Sequence, residues 1–83
     1  MIKYKLSKEW IEQNSEMIKR AYGIAQVNKW DIRSKAVVLE LLRVVDPENT
    51  NEENAEIFAK VLQLFDLRLK KTKLSEKGLE DLN

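Results

Sequence analysis

Eighty-three residues, 35% of them charged and 43% hydrophobic, with a formal net charge of +1, leave room for one small domain with a thin core. The absence of both Cys and His excludes disulfides, thiolate metal sites, most nucleophile–base pairs and an imidazole switch near neutral pH. No window approaches the roughly 20 apolar residues of a membrane span, and the first residues lack the apolar stretch of a signal peptide, so a soluble cytoplasmic protein is expected.

The segment Ile2-Lys3-Tyr4-Lys5-Leu6 alternates apolar and basic residues. That period reads as one short half-buried strand. Nothing after it reads as a second strand. Its backbone groups must therefore be satisfied elsewhere, and pairing with a second copy of the chain in a homodimer is one solution.

Ser7 is a good N-cap for a helix from Lys8. Trp10, Ile11, Met17, Ile18, Ala21, Tyr22 and Ala25 fall on one face of that helix, which should end between Gly23 and Val27. Asn14 falls in the middle of the apolar face, where its amide needs partners. Residues 26–30 read as a short connector containing Trp30. Asp31 is then the expected cap of a second helix running to about Val45, apolar nearly all round, and ended by Asp46-Pro47. Such a helix is the centre of a core or of a dimer.

Asn49 and Thr50 offer caps to a third helix, with Glu52 and Glu53 at capping-box spacing. It should run to about Lys70, with Ala55, Ile57, Phe58, Val61, Leu62, Leu64, Phe65 and Leu69 over nearly half its surface. A last short helix is expected from Ser75, carrying Leu79 and Leu82. The fold class is thus mainly α. Three to four short helices form a single domain over residues 1–83, with an optional N-terminal strand paired across a homodimer.

Charge is segregated. Residues 1–45 hold nine Lys and Arg against five acids, residues 46–66 one against six, and residues 67–83 five against three. Part of this is local: acids at the start of the third helix and bases at its end complement the helix dipole. With glycine only at positions 23 and 78 there is no phosphate-binding loop. The carboxylate pair Glu52 and Glu56 sits on a polar helix start. No catalytic residue, metal site or cofactor is expected.

The run Ile2-Lys3-Tyr4-Lys5-Leu6-Ser7, the amphipathic helix from Lys8, and Ile32-Arg33-Ser34-Lys35-Ala36-Val37-Val38-Leu39-Glu40-Leu41-Leu42 together resemble the ribbon-helix-helix family of repressors and antitoxins. The resemblance covers residues 2–45. It implies an antiparallel ribbon of two arms from two chains, lying in the major groove. Lys3 and Lys5 would face base edges, Ile2, Tyr4 and Leu6 the core, and Arg33, Ser34 and Lys35 would hold a phosphate. Residues 47–83 would be a helical extension.

Lysines can read guanine acceptors or neutralise phosphates, so the resemblance is chemically coherent. It implies a small regulatory protein that binds DNA or RNA. Without it, the same residues read as a helical bundle whose first residues pack as an arm. The corresponding function is an adaptor or inhibitor that binds another protein through Trp30, Phe58 or Phe65. A structural subunit, docking through the apolar second helix, is a third alternative.

Overall fold

The computed structural model describes residues 2–81, with side chains placed for residues 2–70. Among the described residues there are four α-helices and no strand: α1 (Lys8–Gln13), α2 (Ser15–Asn28), α3 (Lys35–Val45) and α4 (Glu52–Asp81), with a 3-10 turn at Pro47–Asn49. The mainly helical class is as expected, but the four helices are divided differently: the first expected helix is two, and the last two expected helices are one. No helix among the described residues is long and apolar enough to cross a membrane.

The helix expected from Lys8 is broken at Asn14. Ser7 caps α1, its hydroxyl accepting the Trp10 N–H at 3.2 Å. Asn14 has φ −113° and ψ 21°, outside helical geometry, and its side chain donates to the Trp10 carbonyl at 2.8 Å. Its amide is thus satisfied within its own turn, where it competes with the helical ladder. Beyond the break α2 continues to Asn28 and stops in a Schellman motif. Lys29 adopts the left-handed conformation at φ 55°, and the Trp30 N–H reaches back to the Ala25 carbonyl at 2.9 Å. Trp30 is thereby lifted out of the helix.

Asp31 does not cap α3. Its carboxylate accepts the Arg33 N–H at 2.9 Å and its carbonyl accepts the Ser34 N–H at 3.0 Å, which makes a turn. Ser34 occupies the cap position. Likewise the cap of α4 is Asn51, whose Oδ1 accepts the Asn54 N–H at 2.8 Å. Asn49 and Thr50 instead tie the preceding turn to Asp46: Thr50 Oγ1 donates to the Asp46 carbonyl at 2.9 Å, and Asn49 Nδ2 to its carboxylate at 3.0 Å. The helix expected from Ser75 is the continuation of α4; Leu82 lies outside the described residues.

α3 packs against both α2 and α4, and α2 also meets α4. The core holds Ile18, Ala21 and Ala25 of α2, Val38, Leu41 and Leu42 of α3, and Ala55, Phe58, Val61 and Leu62 of α4. The three alanines let the helix backbones approach closely, and Phe58 fills the centre. Burying a ring of that size contributes about 1.5–3 kcal/mol. α3 is the central helix expected from its composition, although Val44 remains 56% exposed.

Candidate functional site

The N-terminal arm, residues 2–6, lies against its own chain. Tyr4 enters the core at 6% exposure. Its ring centroid lies 4.6 Å from Trp10 and 5.8 Å from Phe58, and its hydroxyl donates to Asp46 Oδ2 at 2.6 Å. Burial first, then the hydrogen bond to Asp46 and the charge of that carboxylate, push the Tyr4 phenol far up.

The backbone of the arm is held by two asparagines. Asn49 Oδ1 accepts the Ile2 N–H at 2.7 Å. Asn54 Oδ1 accepts the Tyr4 N–H at 2.9 Å while its Nδ2 donates to the Ile2 carbonyl at 2.9 Å and to the Asn49 carbonyl at 2.7 Å. Asn54 is 2% exposed, and no buried side-chain nitrogen or oxygen among the described residues lacks a partner. Each of these arm bonds comes from residue 2 or 4. The groups of Lys3 and Lys5 point the other way, because backbone donors and acceptors alternate sides along an extended chain.

Of the three apolar arm residues only Tyr4 is buried. Ile2 and Leu6 are 64% and 49% exposed, so the expectation that all three face the core holds within one chain for Tyr4 alone. Lys3 and Lys5 are exposed.

The other basic candidates lie elsewhere. Arg33 pairs with Asp31 at 3.1 Å in a turn open to water, and the neighbouring guanidinium holds the Asp31 carboxyl below its usual range. Ser34 is the α3 cap and is half-buried. Lys35 Nζ lies 3.7 Å from Glu52 Oε2. Asn54, which grips the arm, is about 200° around α4 from Glu52. Among the described residues no hydrogen bond or ion pair joins Lys3 or Lys5 to Arg33, Ser34 or Lys35.

Among the residues expected to meet a partner, Phe58 is fully buried and has no surface to offer. This corrects its candidacy: it anchors the core between Tyr4 and α3. Trp30, at 40% exposure, forms a ridge between two hollows. One is shallow and apolar, against Ala36 and Val37; the other is mixed, with Gln26, Gln63 and Leu67.

Phe65 packs edge-on against Tyr22 at 5.1 Å and lines an apolar groove. The groove runs between α1–α2 and α4, over Ile11, Ile18, Val61, Leu64 and Phe65, with Glu12, Ser15 and Arg68 at its rim. Its apolar α4 wall, Val61, Leu64 and Phe65, follows the spacing i, i+3, i+4 and is about 6 Å long. Leu64 is 44% exposed there.

Tyr22 fixes this wall. Its hydroxyl donates to Asp66 Oδ1 at 2.5 Å, and Lys70 Nζ lies 3.0 Å from Asp66 Oδ2. Burial and the Asp66 hydrogen bond raise the Tyr22 phenol to about 12. The same bond, helped by Lys70, holds the Asp66 carboxyl below its usual range.

Asn54, Asn49, Asp46, Ile11 and Leu64 were not singled out as site residues from sequence. For Asn54 a signal existed: it is in helical phase with Phe58, Val61, Leu62 and Phe65. Among the described residues no group of three or more Asp or Glu is placed to hold a metal ion. Comparison with protein-family models, with curated proteins and with solved structures finds no match to the chain.

Proposed function

We propose that the chain is a helical protein-binding module, an adaptor or inhibitor, whose groove between α1–α2 and α4 receives one apolar face of a partner's amphipathic helix. The observation that carries this reading is the groove itself: Ile11, Leu64 and Phe65 offer apolar surface over a floor of buried Ile18 and Val61, the α4 residues follow the spacing i, i+3, i+4, and charge stands only at the rim. A helix that presents its own i, i+3, i+4 anchors matches that spacing. Exposed Glu12 on the rim favours a partner helix with a basic flank on that side.

The test uses affinity capture from the native host with the full chain, followed by a binding titration of the captured protein. Leu64→Glu puts a charge into the groove at a half-open position where the fold tolerates it. It should abolish binding, while Lys3→Ala with Lys5→Ala should leave binding intact. Binding indifferent to Leu64→Glu, or lost with the two lysines, overturns the proposal.

A second reading rests on Lys3 and Lys5. Both are exposed, and no ion pair involves them among the described residues. Two copies could together offer these amines to DNA or RNA in the manner the ribbon-helix-helix resemblance implies. A gel-shift titration separates the readings. Nucleic-acid binding through lysines must weaken steeply with salt and vanish in the double alanine variant.

A further inference from the structure

The arm, residues 2–6, belongs to no strand, but its hydrogen bonds alternate as a strand's do, with one side occupied and the other open. On the inner edge the Ile2 N–H, the Ile2 carbonyl and the Tyr4 N–H are all taken by the side chains of Asn49 and Asn54. On the outer edge the N–H groups of Lys3 and Lys5 make no hydrogen bond among the described residues, and both residues are exposed. Tyr4, plugged between Trp10, Phe58 and Asp46, fixes the arm in place, so little ordering entropy is left for a ligand to overcome. An extended backbone held rigid with one open edge is a template for another strand.

We propose that this outer edge is a β-augmentation site for an extended acidic segment of a partner protein. The charge pattern selects the occupant. Lys3 and Lys5 share the face opposite Tyr4, and a segment with Glu or Asp at alternate positions would set its carboxylates beside their amines. A second copy is the poorer fit. In antiparallel registers centred on Lys3, Tyr4 or Lys5, a lysine stands directly opposite a lysine, and like charges so placed are destabilising. Exposed Ile2 and Leu6 add apolar contact for the alternate side chains of the incoming strand. The site shares no residue with the groove proposed above. It shares with that reading only the premise that the ligand is a polypeptide.

The probe is a synthetic peptide of alternating Glu and Thr, added to the full chain while amide exchange is followed residue by residue. Lys3 and Lys5 amides should exchange about tenfold more slowly with peptide bound, while the already bonded Tyr4 amide should change little. The same peptide N-methylated at alternate residues, so that it cannot donate to the arm, should give no protection. Lys3→Pro removes an outward N–H together with the Lys3 amine and keeps Ile2 extended, so both contacts to the segment are lost at that residue. It should lose the peptide without lowering the melting temperature. Leu64→Glu should bind it normally.

Three results would overturn the proposal: no protection of Lys3 and Lys5, equal binding of the N-methylated peptide, or protection that grows with protein concentration alone, which would mean pairing between copies. Tighter binding of duplex DNA with the same amides unprotected would do so as well. None of these results touches the groove, whose failure is read from Leu64→Glu and the captured partner.

Discussion

Asn54 stands beside Tyr4 as a neighbouring strand would: its carboxamide accepts the Tyr4 N–H and donates to the Ile2 carbonyl, both at 2.9 Å. A planar amide offers one acceptor and two donors, and here every one is used. This explains how a single extended segment persists in a helical protein. It also places a buried polar residue where its removal leaves three backbone groups without partners. Asn54→Ala should lower stability by about 2–4 kcal/mol, from unsatisfied groups together with the cavity. Asn14→Ala, which removes one bond within its own turn, should cost less than about 1 kcal/mol. Urea unfolding of the two variants checks the ordering, and equal effects would mean that the arm contributes nothing to the fold.

Two backbone positions invite stabilisation. Gly23 lies on the exposed side of α2, and a Cβ there meets nothing within 4 Å. Gly23→Ala should therefore raise stability by about 0.5–1 kcal/mol. Lys29 ends α2 at φ 55°, a conformation that favours glycine. Lys29→Gly should gain a similar amount, up to about 1 kcal/mol, by relieving that strain. The sites are separated and share no partner, so the double variant should add. Thermal or urea melts of the three variants provide the measurement.

Stability should fall at both ends of the pH scale through one bond. A phenol raised from 10.0 to about 12 in the folded chain holds its proton more tightly there than when unfolded. Tyr22 therefore contributes fully below pH 10, and the contribution is lost as pH climbs towards 12. Tyr4, raised for the same causes, acts in the same direction. Asp66 is shifted the opposite way. Its contribution is present above the ordinary value of 3.8 and disappears as pH falls below it. Tyr22→Phe should shrink both limbs of a stability-against-pH curve while leaving the plateau between them flat. Phenolate absorbance of the same variant should show its remaining tyrosine titrating late, and an ordinary titration would refute the burial of Tyr4.

The helices were legible because apolar spacing over many residues is hard to mimic by chance. α3 in particular is central for the reason its composition gives, with Val38, Leu41 and Leu42 buried between α2 and α4. The interruption at Asn14 was not legible as a break, since the apolar face of α1 continues in phase into α2. Asn54 was obscured by its surroundings. In Asn51-Glu52-Glu53-Asn54 it looks like one more solvated residue of a helix start, and only its phase with Phe58 betrays it. The grouping of charges was beyond the sequence for a geometric reason. Residues near in a basic half-chain are tied to different positions of α4, Lys35 to Glu52 and the arm to Asn54, about 200° further round the helix.

Phe58 and Phe65 are alike in sequence, two aromatic residues on one face of one helix, yet they should fail in different ways. Phe58 is wholly enclosed, with the Tyr4 ring at its edge, so Phe58→Ala should cost about 3–5 kcal/mol and loosen the arm. Phe65 is partly open and forms the wall of the groove with Leu64. Leu64→Glu should change stability by no more than about 0.5 kcal/mol, because the position is half in water already. Its effect should appear only in binding. Tryptophan fluorescence gives an independent view: Trp10 packs on Tyr4, whereas Trp30 stands proud of the connector, so a soluble quencher should reach Trp30 first. Trp30→Phe should remove most of the quenchable emission and leave the melting temperature nearly unchanged. If instead quenching is unaffected by Trp30→Phe, the Schellman ending of α2 does not present that ring to solvent, and its place on the protein's surface is lost with it.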